Sequence, residues 1–318
     1  MADQTGYCEV AGIQALLVEN PMWPSSANVF LVPDLDGFSL IDVGCGGMAA
    51  ADRLLAGLAR FGHNLDDLHT VVLSHAHPDH MGALAWILES ARPRVLIHPR
   101  DRASALDPEN LTDSFDIPLA RRASGQGPLS DLARGFDLLR FFEQSGCAMC
   151  AAAEVEEMAE GEEIRLGALR FEVFHTPGHA PGHVSFFEPD RKILLAGDVV
   201  GQVPAWYTPS SGGVIGYLRS LAVLETLPAE TVLPSHGPIF HDLAEAVGRI
   251  RGKLLRREQR TLQLLGRGPM RFMDLVEALF EAPFMRFFPG VGITESHLLK
   301  LEQEGRIERI DERIRLVG

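Results

Sequence analysis

The segment "SHAHPDH" gathers His75, His77, Asp79 and His80 within six residues, directly after the apolar run "TVVL". Imidazole and carboxylate together suit zinc, iron or manganese, and no soft thiolate set points elsewhere. His75 and His77 lie two apart, so an extended backbone can aim both at one ion. Asp79 and His80 follow a turn and can reach a second. Three further polar clusters end apolar runs: "HTPGHAPGH" at His175–His183, "LLAGDVV" at Leu194–Val200 and "LPSHGP" at Leu233–Pro238. From these, His179 and His236 can each add a nitrogen, and Asp198 can lie between the two ions. This count leaves a coordination position for water, which separates a catalytic site from a closed structural one. Gly178, Gly182, Gly197 and Gly237 adjoin these ligands, where tight loops and close backbone approach need small residues. Asp42, in "LIDVGCGG", and His183 are expected behind the ligands, orienting a histidine or loop amides. His63, His69, His98, His175 and His241 have simpler surface, turn or packing readings.

Such groups need strands to hold them at one edge. "ANVFLVPDLDGFSLIDVGCGG" predicts two strands about a turn, and "LHTVVLSH" and "RVLIHP" predict two more. "MAAADRLLAGLARFG" and "MGALAWILESAR" have helical spacing between them. Branched strands alternating with helices give a layered α/β structure with a well-covered sheet. In such folds ligands bind at strand ends. Residues of about 100–160 are less regular, with "ASGQGPLSD" and the helical "LSDLARGFDLLRFFEQ", and read as an inserted lobe beside the site. Strands resume in "IRLGALRFEVFHT", "HVSFFEPDRKILLAGD" and "ETVLPSHGP". Beyond residue 242 a basic helix, further short helices and a small hairpin suggest an appended domain. The expected division is 1–242 and 243–318.

A chain of 318 residues, 46% hydrophobic and 23% charged, has room for one large domain plus a small one, or for two medium ones. Its net charge of -14 argues against a whole surface that grips nucleic acid. Cys8, Cys45, Cys147 and Cys150 are too sparse for a disulfide scaffold. Cys147 and Cys150 form a C-x-x-C pair with no second pair to complete a thiolate cage. Their segment, "SGCAMCAAAEVEEMAEG", reads as helical, which favours a structural or incidental role. The N-terminus lacks the pattern of a signal peptide and no run of eighteen apolar residues occurs, so the cytoplasm is the expected location and no membrane is expected as a partner.

The combined pattern resembles the metallo-beta-lactamase superfamily. The H-x-H-x-D-H signature stands as His75, His77, Asp79 and His80, with His179, Asp198 and His236 following in order over about residues 10 to 242. The resemblance implies an αββα sandwich with His75, His77 and His179 on one metal, Asp79, His80 and His236 on the second, and Asp198 bridging. The tail "ESHLLKLEQEGRIERI" is similar to the winged-helix-like C-terminal domain of a branch that includes beta-lactamase-like protein 2.

Fold does not name the substrate. The expected function is metal-dependent hydrolysis of a carboxylic thioester or ester by a metal-activated water, with Asp79, His80 and Asp198 as catalytic residues. The expected cofactors are two divalent metal ions, Zn2+ first, with Mn2+ or Fe also compatible. A lactone asks for the same chemistry. Nuclease activity and a non-catalytic, metal-containing binding role are the other readings. Arg249, Arg251, Lys253, Arg256, Arg257 and Arg260 could contact phosphates, but residues His297 to Gly318 hold five basic and five acidic residues, with no cationic surplus. A small-molecule substrate is therefore expected and nucleic acid is not. The appended helices suit a homodimer contact or packing on the main domain. The aromatics of Phe136–Phe142 and Trp206–Tyr207 either line an acyl pocket or pack the lobe.

Overall fold

Alternating burial explains the layers. In a strand, successive side chains face opposite sides, so a strand covered on both faces is apolar throughout. Leu40, Val71, Leu194 and Val232 pack outward beneath helices, while their neighbours Ile41, Val72, Leu195 and Leu233 meet between two sheets. The computed structural model describes residues 6–18 and 25–317.

The first sheet runs in chain order: β1 (Tyr7–Val10), β2 (Ile13–Leu16), β3 (Val29–Pro33), β4 (Phe38–Ile41), β5 (Leu68–Val72), β6 (Arg94–Ile97) and β7 (Glu156–Glu157). The second holds β8 (Glu163–Leu166), β9 (Leu169–His175), β10 (Val184–Glu188), β11 (Ile193–Gly197) and β12 (Thr231–Pro234), in the order β12-β11-β10-β9-β8. Both sheets are mixed: β4, β5, β6 and β7 pair in parallel, as do β11 and β12. Helices α1 (Met48–Phe61), α2 (Pro78–Met81) and α3 (Leu84–Ser90) lie on the β4–β5 side, where Leu54, Leu58, Leu84 and Ile87 are buried. The expected helix at "MGALAWILESAR" is α3, which begins only at Leu84, while Met81 closes α2 and Gly82 leaves room for the close approach of Gly46 and Ala148.

Between β6 and β7 the chain forms α4 (Pro99–Leu106), α5 (Leu111–Ser114), α6 (Ile117–Ser124), α7 (Ser130–Gly135) and α8 (Leu138–Gln144). Two expectations fail immediately after α8. The segment from Cys147 to Ala152 is not helical, and its Ala148 carbonyl lies close against Gly46 and Gly82. Cys147 also forms a disulfide with Cys45, 102 residues away, and so is not paired with Cys150. One staple is not a scaffold, but it ties the lobe to the loop after β4. Cys150 is exposed and carries no bond of this kind.

After β11, α9 (Gly213–Leu224) covers the second sheet, followed by α10 (Leu243–Leu265). On α10, Leu243, Val247, Ile250, Leu254 and Thr261 recur at helical spacing on a buried stripe. The chain ends with β13 (Met270–Arg271), α11 (Phe272–Leu279), α12 (Pro283–Met285), α13 (Val291–Gln303), β14 (Ile307–Ile310) and β15 (Arg313–Leu316). Their sheet has the order β13-β15-β14. α13 is pressed onto α9: the Val214 amide donates to Ser296 Oγ at 2.6 Å. This α/β sandwich of mixed sheets, flanked by helices and followed by a helical C-terminal region, has the expected architecture.

Candidate metal centre

All four polar clusters leave the sheets at one edge. β4 ends at Ile41 before Asp42, and β5 at Val72 before the Ser74–His80 loop. In the second sheet, β9 ends before the His179 loop, β11 before Asp198 and β12 before His236. The parallel pairs β4–β5 and β11–β12 bring these ends together, which no stretch of local sequence could do.

The seven expected ligand residues converge. His77 Nδ1 lies 2.9 Å from His75 Nε2 and 3.0 Å from His179 Nε2. Beside this trio, His236 Nε2 lies 3.4 Å from Asp79 Oδ2, and His80 Nε2 lies 4.0 Å from it. Asp198 sits between the two sets. Its Oδ1 is 3.3 Å from His80 Nε2, and its Oδ2 is 3.2 Å from His179 Nε2 and 3.5 Å from His236 Nε2. These atoms form adjacent groups able to hold one or two divalent ions.

The donor set fits such ions for a physical reason. His80 Nε2, His236 Nε2 and Asp198 Oδ1 are buried without a hydrogen-bond partner. Orphaned buried polar atoms cost free energy, and here they face one another, as ligands do. Burial, reinforced by the surrounding histidines, drives the His75 and His77 pKa values well down, favouring the neutral imidazole that binds metal. At His80 burial also pulls downward, but Asp198, Asp42 and Asp79 together raise it well above the usual value. At Asp198 burial is outweighed by His236, His80 and His179, which hold the carboxyl well below the usual range.

Around this group a second set of contacts fixes orientation. His80 Nδ1 donates to Asp42 Oδ2 at 2.8 Å, and Asp42 also accepts from the Ser74 amide and hydroxyl, each at 2.8 Å. His183 Nε2 accepts the Asp198 amide at 2.9 Å, while its Nδ1 meets Thr176 Oγ1 at 2.8 Å. Burial, with His179 nearby, pushes the His183 pKa down to about 3, so it is neutral and can accept. His179 Nδ1 donates to the Trp206 carbonyl at 2.8 Å. Asp42 and His183 thus stand behind the ligands. Asp42→Ala is expected to weaken metal affinity by about 10- to 100-fold, read by competition with a chelator. Unchanged affinity would mean that the Asp42–His80 contact does not matter for binding.

Two positions were not anticipated. Asp101, on the first turn of α4, accepts the Ala76 amide at 3.1 Å and the Gly182 amide at 2.7 Å, so one buried carboxylate joins the two histidine loops. Phe115, from the inserted lobe, lies 4.6 Å from the His77 ring. The histidines set aside are engaged elsewhere: His98 and His175 stack at 4.3 Å, His63 meets Gln14 at 2.9 Å, His241 meets the Glu230 carbonyl at 3.1 Å and His69 lies exposed near Asp36.

A cavity of about 470 Å³ opens onto this group. His179, Asp198 and His236 line it together with Trp206, Met285 and Phe288, and Trp206 packs 5.0 Å from the His179 ring. Met285 and Phe288 belong to the C-terminal region, so the appended helices build part of the site. Of the other aromatics, Phe136 and Phe141 pack on Phe284, and Tyr207 is fully buried against His297.

Residues 22–236 match the family model of the metallo-beta-lactamase superfamily. The chain belongs to this superfamily. With the histidine and aspartate groups in place, this metallo-beta-lactamase superfamily member is a metal-dependent hydrolase. It is 26% identical to the probable metallo-hydrolase YqjP of Bacillus subtilis over 303 residues, 92% of this chain and 93% of YqjP. It is 28% identical to the human acyl-coenzyme A thioesterase MBLAC2 over 226 residues, 67% of this chain and 74% of that protein. The structure of the metallo-beta-lactamase family protein TTHA1429 from Thermus thermophilus superposes with a TM-score of 0.78 at 25% identity, covering 97% of this chain and 99% of that one. No helix among the described residues is long and apolar enough to cross a membrane.

Proposed function

We propose that the chain hydrolyses a carboxylic thioester or ester. In this reading His75, His77 and His179 would hold one divalent ion and Asp79, His80 and His236 a second, with Asp198 between the two sets able to serve both. Zinc is our assignment, although the same nitrogen and oxygen set accepts manganese or iron. The observation that carries the reading is the cavity, which the metal-ligand residues His179, Asp198 and His236 share with the apolar side chains of Trp206, Met285 and Phe288. An acyl group gains by burial there, at about 25 cal/mol per Å². When bound, the ions supply a lowered water pKa and polarisation of the substrate carbonyl.

The chain's own residues do the rest. Trp206 and Phe288 seat the acyl group and exclude water from it. The Trp206 carbonyl holds the His179 ring in one orientation, and Asp42 does the same for His80. Asp79 Oδ2, at the junction of His80 and His236, is placed to take up a proton during attack and return it to the leaving group.

The likeness to an acyl-coenzyme A thioesterase favours a thioester over a lactone. Helices α11 and α13 with the β14–β15 hairpin read as winged-helix-like, similar to the branch that includes beta-lactamase-like protein 2. In α13 the residues Val291, Ile293, Ser296, His297 and Leu298 are buried, which leaves that helix little face to offer a nucleic acid. Initial rates on a short-acyl thioester, with metal-loaded and metal-stripped protein, test the proposal. Cleavage lost on stripping and regained on reloading is expected. Loaded protein that cleaves neither thioester nor ester, yet opens a lactone or phosphodiester, would overturn it.

A further inference from the structure

The cavity is lined mainly by apolar residues, and its Gly201–Trp206 wall is tied to the cationic helix α10. Segment 201–206 lines the cavity and, with Tyr207 behind it, runs alongside α10. Arg249 donates to the Gly201 carbonyl at 3.3 Å and to the Gln202 carbonyl at 3.4 Å, and Arg257 donates to the Tyr207 hydroxyl at 2.7 Å. More than two helical turns separate those anchors, so α10 borders this segment between Arg249 and Arg257. On the same flank Arg249, Lys253, Arg256 and Arg260 recur at spacings of four, three and four residues, a single stripe about 16 Å long. Arg249 pairs with Glu245 at 3.0 Å. Among the described residues, Lys253, Arg256 and Arg260 make no hydrogen bond or ion pair, and both arginines are exposed.

A further cation stands on the turn that supplies the other wall. Arg286 lies between Met285 and Phe288, donates Nε to the Phe280 carbonyl at 2.9 Å and has no carboxylate partner among the described residues. Phe280 in turn packs 5.7 Å from the Arg257 guanidinium, which brings this turn against α10. On the opposite flank of α10 the pattern differs: Arg251 is paired with Glu225 at 2.5 Å. In a chain of net charge -14, uncompensated cations gathered along the helix and turn that adjoin the cavity walls form a local field for anions.

We propose that this stripe seats phosphate groups on the thiol side of the thioester, so that the acyl group enters the cavity while an anionic arm lies along α10. The inference rests on the thioester reading above and adds the identity of the leaving group. Ammonium and guanidinium groups bind phosphate through charge-assisted hydrogen bonds, and guanidinium does so in a bidentate fork. In the reaction, water oxygen bonds to the carbonyl carbon, the C–S bond breaks, and the proton passes to the departing thiolate. The acid is left in the apolar cavity and the phosphorylated thiol along α10.

The test compares hexanoyl-coenzyme A with S-hexanoyl-N-acetylcysteamine, which has the same acyl group and thioester but no phosphate. The variant is Lys253→Ser combined with Arg256→Ser and Arg260→Ser, which leaves Arg249 to hold the cavity loop. Its kcat/KM is expected to fall about tenfold or more on the coenzyme A ester and to stay unchanged on the neutral one. The wild-type preference for the coenzyme A ester should shrink as salt is raised. A titration with coenzyme A itself, read by calorimetry, separates this inference from the reading beneath it. If neither thioester is cleaved, the thioesterase assignment fails. Binding of coenzyme A that the variant loses still supports the stripe, and no binding ends it. Equal kcat/KM and equal Kd in both proteins would overturn the inference. So would a single-stranded oligonucleotide that binds the wild type more tightly than coenzyme A and is released by the variant.

Discussion

His77→Ala is expected to leave a folded chain whose metal-dependent turnover falls by about 10³-fold or more, since losing a metal's action costs several kcal/mol of barrier. His77 Nδ1 stands between His75 Nε2 and His179 Nε2, so alanine removes the central nitrogen of the trio. It also removes the ring that stacks on Trp206 at 5.2 Å, which loosens one wall of the cavity. The sheets beneath are untouched, because the loop backbone is held by Asp101 on Ala76 and by Asp42 on Ser74. Three measurements separate the causes: metal content, thermal melting, and initial rate at matched metal loading. Full activity at equal loading would remove His77 from the ligand set. A collapsed melting curve would recast it as a packing residue, and a His77→Gln variant would then probe the nitrogen alone.

Much of this site was legible because its ligands are local. His75, His77, Asp79 and His80 lie on one loop, and His179, Asp198 and His236 each follow a strand with a clear apolar signature. The groups that orient them were legible only where they too ended a strand, as Asp42 does. Asp101 was not, because it sits on the first turn of a helix and its partners are 25 and 81 residues away. No periodicity or spacing marks such a pairing. The Cys45–Cys147 disulfide escaped for the same reason, and the neighbouring Cys150 offered a tempting local pair that the backbone does not use.

The cavity wall shows a different limit. Trp206 and Phe288 are far apart in sequence yet close the same space, with ring centroids 5.7 Å apart. The aromatic run near Phe136 was ambiguous between lining and packing. Phe142 is fully buried against Phe115, and Phe136 packs on the C-terminal Phe287. Only the docking of the C-terminal helices decides which aromatics face substrate, and that docking depends on buried contacts such as Tyr207 Oη with His297 Nε2 at 2.8 Å.

Gly178→Ala is the second large effect expected, and it acts through the backbone. Gly178 has φ of +135°, a conformation that side chains rarely adopt, and a Cβ built there would lie 2.6 Å from Tyr217 Cα. The obstacle is the backbone of α9, so no side-chain rotation relieves it. The close approach has a purpose, because α9 carries Tyr217 to a position where its hydroxyl accepts the Ala205 amide at 3.1 Å and donates to the Val199 carbonyl at 3.0 Å. Those bonds tie the strand end that bears Asp198 to the loop that bears Trp206. A methyl group at 178 pushes the helix away from both and displaces the adjacent His179. We expect a loss of about 3 kcal/mol or more from strain and overpacking, together with weaker metal binding. Thermal melting and chelator competition read the two consequences separately. Gly201→Ala is the matched control: it lines the same cavity, but its built Cβ has its nearest neighbour at 3.9 Å and should melt normally. If Gly178→Ala melts with the wild type and binds metal equally well, the contact between α9 and the His179 loop is not what holds that ligand in place.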